Sequence, residues 1–209
     1  MNVVEYKGHV TLTKGIAMEK PVCIDGKYYV ELLSYGEVHG LGHCGEAMKE
    51  YFKHKPISVL EVGVLRGHHA EAISKNFNIN PLVLVDPWDF CAETHPNNWA
   101  DVWFRIQGNK DVIVIKATSE EARFLIPWKF DWIYLDGEHT GGDLSPGTEY
   151  TGIRRDIDLW ISSVKPGGVI SGHDYNYDNI KHEVDKVFVD KVNSSPYHPH
   201  GGMEWWVFI

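Results

Sequence analysis

Five short apolar runs in this 209-residue chain each lead into residues that can carry charge or accept hydrogen bonds. VLEV contains Glu61, LVLVD ends at Asp86, and DVIVIKATS runs into Ala117 to Ser119. WIYLD ends at Asp136, and GVISGHD ends at His173 and Asp174. An acidic side chain at such a strand end can accept both hydrogen bonds of a ribose diol. Imidazole can take a hydroxyl proton near neutral pH, and carboxylates can hold a divalent cation.

The first of these runs turns through VLEVGVLRGHHA, Val59 to Ala70. A dinucleotide fold uses GxGxxG there so that backbone N–H groups approach a pyrophosphate closely. Here Leu65 and His68 stand where its second and third glycines would be, leaving Glu61, Gly63 and Gly67. An anion at Glu61 opposes a pyrophosphate and favours a cation. Together with Asp86 for a ribose, this describes an adenosine with a cationic tail, which S-adenosylmethionine satisfies.

The elements that must position these residues alternate from Ile57 onward. Strands are expected at ISVLEV, LVLVD, DVIVIKA, FDWIYLD and GVISG, with MEWWVFI as a closing strand. Helices are expected from His68 to Phe77, over NNWADVWFRIQ, SEEARFL and IRRDIDLWISSV, and from Asn179 to Val192, with KPGG as a turn. Continuous apolar strands are those of a sheet covered on both faces, and repeated β-α units argue a doubly wound, mostly parallel Rossmann-like sheet with an antiparallel C-terminal strand. In such sheets ligands bind beyond the C-terminal strand ends. Residues 1–55 read as a separate N-terminal cap on the main domain of residues 56–209: a hairpin about Asp25-Gly26 and a helix over EAMKEYFKH, ended before Pro56.

Composition narrows the partners. With 43% hydrophobic residues and a net charge of −9, the chain can build a core and has no dense Lys/Arg run for a nucleic-acid backbone. Its three cysteines, Cys23, Cys44 and Cys91, form no CxxC pair, which suits a reducing cytoplasm. No signal core or membrane-length apolar run is present, so a soluble cytoplasmic protein without a membrane partner is expected. The N-terminal hairpin is the candidate surface for a homo-oligomer.

The ordered set EVGVLRG, LVLVDPW, FDWIYLDGEH, RRDIDLW and KPGGVISGHDY resembles the class I S-adenosylmethionine-dependent methyltransferases, specifically small-molecule O-methyltransferases that include macrocin-type sugar methyltransferases. The likeness runs from about Ile57 to Ile209. It implies that Glu61, Gly63 and Gly67 line the methionine end of the cofactor, Asp86 its ribose and Ser119 the adenine edge. Asp136 would lie beside the cofactor, and Trp88 is a candidate to flank adenine, with a capping role for its loop as the alternative. The implied acceptor is a hydroxyl of a sugar or small natural product.

The resemblance also implies a divalent ion where LDGEH and SGHDY meet, on Asp136, His173 and Asp174. Some relatives carry Asp-Asp where this chain has His173-Asp174, which leaves Mg²⁺, Mn²⁺, Zn²⁺ and no metal all open. His139 is the first candidate for general base and His173 the second. The following stretch GGDLSPGTE, Gly141 to Glu149, looks inserted and would shape the acceptor pocket. His68-His69 and His198-x-His200 are taken as surface histidines. The rival reading is a non-catalytic binding module that kept the fold; a nucleotide-dependent oxidoreductase is disfavoured by the missing glycines.

Overall fold

The computed structural model describes residues 4–6, 10–14, 41–88, 98–137, 152–196 and 202–209. Nine strands form one sheet in the order β1-β2-β5-β4-β3-β6-β7-β9-β8. They are β1 (Val4–Tyr6), β2 (Val10–Lys14), β3 (Ile57–Val62), β4 (Ile79–Asp86), β5 (Val112–Lys116), β6 (Phe130–Leu135), β7 (Val164–Gly172), β8 (Asn193–Ser194) and β9 (Trp205–Phe208). The strands β5, β4, β3, β6 and β7 are mutually parallel. Strand β9 runs antiparallel to β7, as expected, with β8 beyond it.

Each parallel strand sends alternate side chains into two apolar layers, because successive Cβ atoms point to opposite faces. Val59, Leu82, Leu84, Val114 and Trp132 pack beneath α1 (Gly42–Phe52), α2 (His68–Asn76) and α3 (Asn98–Ile106). Leu60, Val83, Ile115, Ile133 and Ile170 pack beneath α4 (Ser119–Leu125), α5 (Gly152–Trp160) and α6 (Asp178–Phe188). Trp205 joins the second layer and Trp206 packs against the first, one on each face. Burying a strand on both faces leaves only its C-terminal end open to ligands.

Several sequence expectations need correction. The opposite sheet edge carries an unforeseen hairpin, β1–β2, whose second strand pairs antiparallel with β5. The hairpin expected about Asp25-Gly26 lies outside the described residues. KPGG is no free turn. It lies inside β7, where Gly167 takes a positive φ of 75° and the register with β6 shifts, so the strand continues through an irregularity. Helix α6 stops at Phe188 rather than Val192, since its cap Val189 already leaves the helical region at φ 17° and ψ 107°.

Order reverses between β3 and β6: the chain winds outward through β4 and β5, then returns past β3 to β6 and β7. This is the switch point where a crevice opens at the strand ends. Glu61 of β3 pairs in register with Tyr134 of β6, which pairs with Ser171 of β7. Those three polar side chains share the α1–α3 face.

Candidate active site at the sheet switch point

Gly63 leaves β3 with φ 84°, and a Cβ there would stand 1.9 Å from the Asp136 carbonyl oxygen. Only glycine lets the two strand ends come this close. Gly67, at φ 75°, precedes the first residue of α2, and its added Cβ would meet Val102 of α3 at 3.2 Å. The glycines of EVGVLRG therefore set the turn and its packing, as their spacing implied.

Asp86 closes the same turn. One carboxylate oxygen accepts from the N–H groups of Val64 (2.8 Å) and Leu65 (2.9 Å), and the other from that of Trp88 (2.6 Å). These three bonds fix the Asp86 carboxylate at the head of the turn. Trp88 is buried, donates its indole N–H to the Leu65 carbonyl and lies edge-on to Trp99. It braces the turn. Ser119 accepts from the Trp160 indole N–H at 2.8 Å, so its hydroxyl is engaged on the α5 side. The cap of α4 is Thr118, in a reciprocal box with Glu121.

The Glu61 side chain is 2% exposed and faces the imidazole of His69, with Oε1 3.7 Å from Nδ1. Its Oε2 is buried without a hydrogen-bond partner, as are both ring nitrogens of His69. Burial raises the Glu61 pKa, against the opposing pull of His69. Burial works against the charge on His69, but the Glu61 carboxylate outweighs it and the imidazole pKa is raised as well. The His69 ring lies 4.0 Å from that of Tyr134. Tyr134 donates to Glu204 at 3.4 Å, and Glu204 also accepts the Cys44 N–H at the start of α1. Burial, reinforced by Glu204, pushes the Cys44 thiol up, which removes it as a nucleophile.

Neither His68 nor His69 is the surface residue expected. His68 hydrogen-bonds the Arg105 guanidinium at 2.6 Å, and His69 is half-buried, with both ring nitrogens turned inward beside Glu61. His69, Tyr134, Ser171 and Glu204 were all missed as site residues. Only a polar residue inside an apolar strand, as at Glu61 and Tyr134, could have signalled the cluster.

On the other side of Gly63, Asp136, His173 and Asp174 place one ligand atom each within 4.8 Å of one another. His173 Nδ1 stands 2.9 Å from Asp174 Oδ1 and 3.9 Å from Asp136 Oδ1. Strand β7 sets this corner, because Gly172 lies beside Leu135 in register and the chain then turns. Asp174 takes φ 59°, a region that aspartate tolerates better than most residues. Gly202 backs the corner: a Cβ there would meet Asn176 at 3.0 Å, His173 at 3.1 Å and Asp174 at 3.3 Å. In this set of two carboxylates and an imidazole, the histidine weakens the case for Mg²⁺ and suits Mn²⁺ or Zn²⁺ better. His139 and the 141–149 stretch lie outside the described residues.

A parallel Rossmann-like sheet with an antiparallel C-terminal strand, a glycine turn after a buried carboxylate and acidic strand ends form the pattern of the class I S-adenosylmethionine-dependent methyltransferases. Residues 60–175 match the family model described as a methyltransferase domain; this is more than half of the chain, which belongs to that family and is an enzyme. An uncharacterized protein of Acanthamoeba polyphaga mimivirus is 23% identical over 182 residues, covering 83% of this chain and 78% of that protein. Among solved structures, an O-methyltransferase from Bacillus cereus in complex with S-adenosylhomocysteine (SAH) superposes with a TM-score of 0.52 at 15% identity, covering 73% of this chain and 74% of the other. A proposed caffeoyl-CoA O-methyltransferase from Staphylococcus aureus gives 0.55 at 11% identity, covering 88% and 90%. An rRNA methylase from Streptococcus thermophilus gives 0.54 at 9% identity, covering 78% and 93%. At these identities the structural likeness establishes the shared fold. Among the described residues, no helix is long and apolar enough to cross a membrane.

Proposed function

We propose that the protein methylates a hydroxyl group of a sugar or other small natural product, with a divalent ion held by Asp136, His173 and Asp174. The observation that carries this reading is the convergence of those three side chains at the switch-point ends of β6 and β7, beside the Gly63 turn. S-adenosylmethionine supplies an electrophilic methyl group. A bound ion supplies Lewis acidity that lowers the pKa of an acceptor hydroxyl.

The chain's own residues do the rest. Glu61 provides a buried anionic oxygen for the cofactor's cationic amino-acid end, and the fit rests on its unpartnered Oε2. Asp86 holds the ribose while fixing the turn, Gly63 and Gly67 permit close approach, and Trp88 keeps the turn rigid. Asp136 borders both cofactor and acceptor. His139 takes the acceptor proton, and the 141–149 stretch shapes the acceptor pocket. A net charge of −9 favours a small-molecule acceptor over the nucleic acid that the rRNA methylase acts on.

The 2.9 Å contact between His173 and Asp174 favours a second reading, in which Asp174 orients His173 as the base and no ion is required. Chelator-treated protein decides between them. SAH is titrated by calorimetry without metal and with excess Mg²⁺ or Mn²⁺, followed by methyl transfer from labelled S-adenosylmethionine to a panel of hydroxylated acceptors. The first reading requires transfer that falls on chelation and returns with the ion; chelator-resistant transfer supports the His173–Asp174 base. Absence of SAH binding in every buffer overturns both.

A further inference from the structure

Glu61 has a place in the proposed chemistry and His69 has none, although both His69 ring nitrogens are buried without a hydrogen bond and Nδ1 lies 3.7 Å from Glu61. We propose that Glu61 and His69 act as one proton-holding pair that sets the charge met by the cofactor's amino-acid end, the imidazolium proton leaving as the cofactor's ammonium arrives. This rests on the reading of Glu61 as the methionine-end anion, and it makes His69 a positioning residue that acts through Glu61.

The geometry restricts what the pair can do. Glu61 directs one oxygen toward His69 at 3.7 Å and keeps the other buried and unpartnered. His69 is held in the first turn of α2 by the left-handed Gly67, with Tyr134 against its ring at 4.0 Å and Trp132 edge-on at 6.0 Å. The groups acting on the pair are acids from each neighbouring element: Asp86 at the end of β4, Tyr134 on β6, Asp136 just beyond it, and Glu204 before β9. Cys44 of α1 stays a neutral thiol beside Tyr134 and Glu204. With His69 protonated, the pair is neutral overall and offers a cation little. Once that proton is lost, the pair carries one negative charge in a dry site, where a cation is held strongly. The start of a helix also disfavours an imidazolium, which eases the proton's departure.

The proton balance is simple. An imidazolium N–H bond breaks, its electron pair stays on the ring nitrogen, the proton goes to buffer, and the incoming ammonium keeps all its protons while it hydrogen-bonds Glu61. Because His69 holds its proton above the ordinary imidazole range, release belongs to that raised range.

The test is calorimetry of SAH into the metal-free full-length protein, across pH, in buffer pairs of different ionisation enthalpy. The wild type should release close to one proton per ligand, with affinity rising about tenfold per pH unit while the pair is protonated. His69→Gln leaves only the Glu61 carboxyl to titrate, which shifts the slope to lower pH. Glu61→Gln abolishes it and reports the ligand's own titration. The wild-type proton count requires no variant to fold. Affinity that is flat with pH in the wild type, or a slope unmoved by His69→Gln, overturns the pair while leaving the cofactor site standing. No binding at any pH overturns both this inference and the reading beneath it.

Discussion

Glu61 near the end of β3 and Asp136 just past the end of β6 belong to neighbouring parallel strands, yet the first side chain is 2% exposed and the second 38%. Glu61 lies in a dry layer with one imidazole beside it and an oxygen unpartnered. Asp136 lies at a half-open corner with His173 and Asp174. Removing a charge from water is costly unless a partner compensates, and at Glu61 the nearby imidazole offsets only part of that cost; under the proposed function the cofactor's cation offsets the rest. The open corner carries little of that cost and can exchange water, an ion or an acceptor hydroxyl. The same residue class thus sits in two settings, set by burial, which under the proposed function suit a cofactor cation on the inside and adaptable ligation on the rim.

Gly63 is where the two regions touch, and substituting it should break both at once. Gly63→Ala forces a Cβ into the Asp136 carbonyl and strains a positive φ. We expect a loss of about 3 kcal/mol, read as a fall of about 10 °C in thermal midpoint, together with loss of SAH binding. A variant of unchanged midpoint that still binds would separate the regions and defeat the comparison.

Asp174→Asn addresses the rim alone. Asparagine tolerates the same left-handed conformation, so the fold should be kept, with the midpoint shifted by less than about 2 °C. Affinity for Mn²⁺, followed by calorimetry, should fall on the order of tenfold to 100-fold, and SAH affinity in metal-free buffer should be unchanged. Loss of cofactor binding in this variant would mean that the two centres are one.

The smallest effect expected is a slope. The pKa values of Glu61 and His69 are both raised, so the folded protein holds protons that the unfolded chain would release. Their contribution to stability is complete below the ordinary values and is lost as pH rises through the raised ones. Thermal midpoints taken from about pH 5 to about pH 9 should fall with pH in the wild type, and Glu61→Gln should flatten that part of the curve. An unchanged slope in the variant would assign the pH dependence elsewhere.

The sequence by itself determined the sheet and its open end. Continuous apolar runs such as LVLV and WIYL can be strands only inside a doubly covered sheet, and the residues that follow them must emerge at one edge, which places Asp86, Asp136, His173 and Asp174. It also marked Gly63 and Gly67, whose backbone conformations few other residues adopt. Less local features escaped it: the β1–β2 hairpin on β5, the Ser119–Trp160 bond, and the end of α6. Only the tertiary structure decided that His69 faces Glu61 and that Glu204 reaches Cys44 from 160 residues away. Periodicity reports which face of an element is apolar, because that depends on near neighbours in the chain. Which buried polar group meets which depends on strand register and helix placement, and those are set by packing across the whole core.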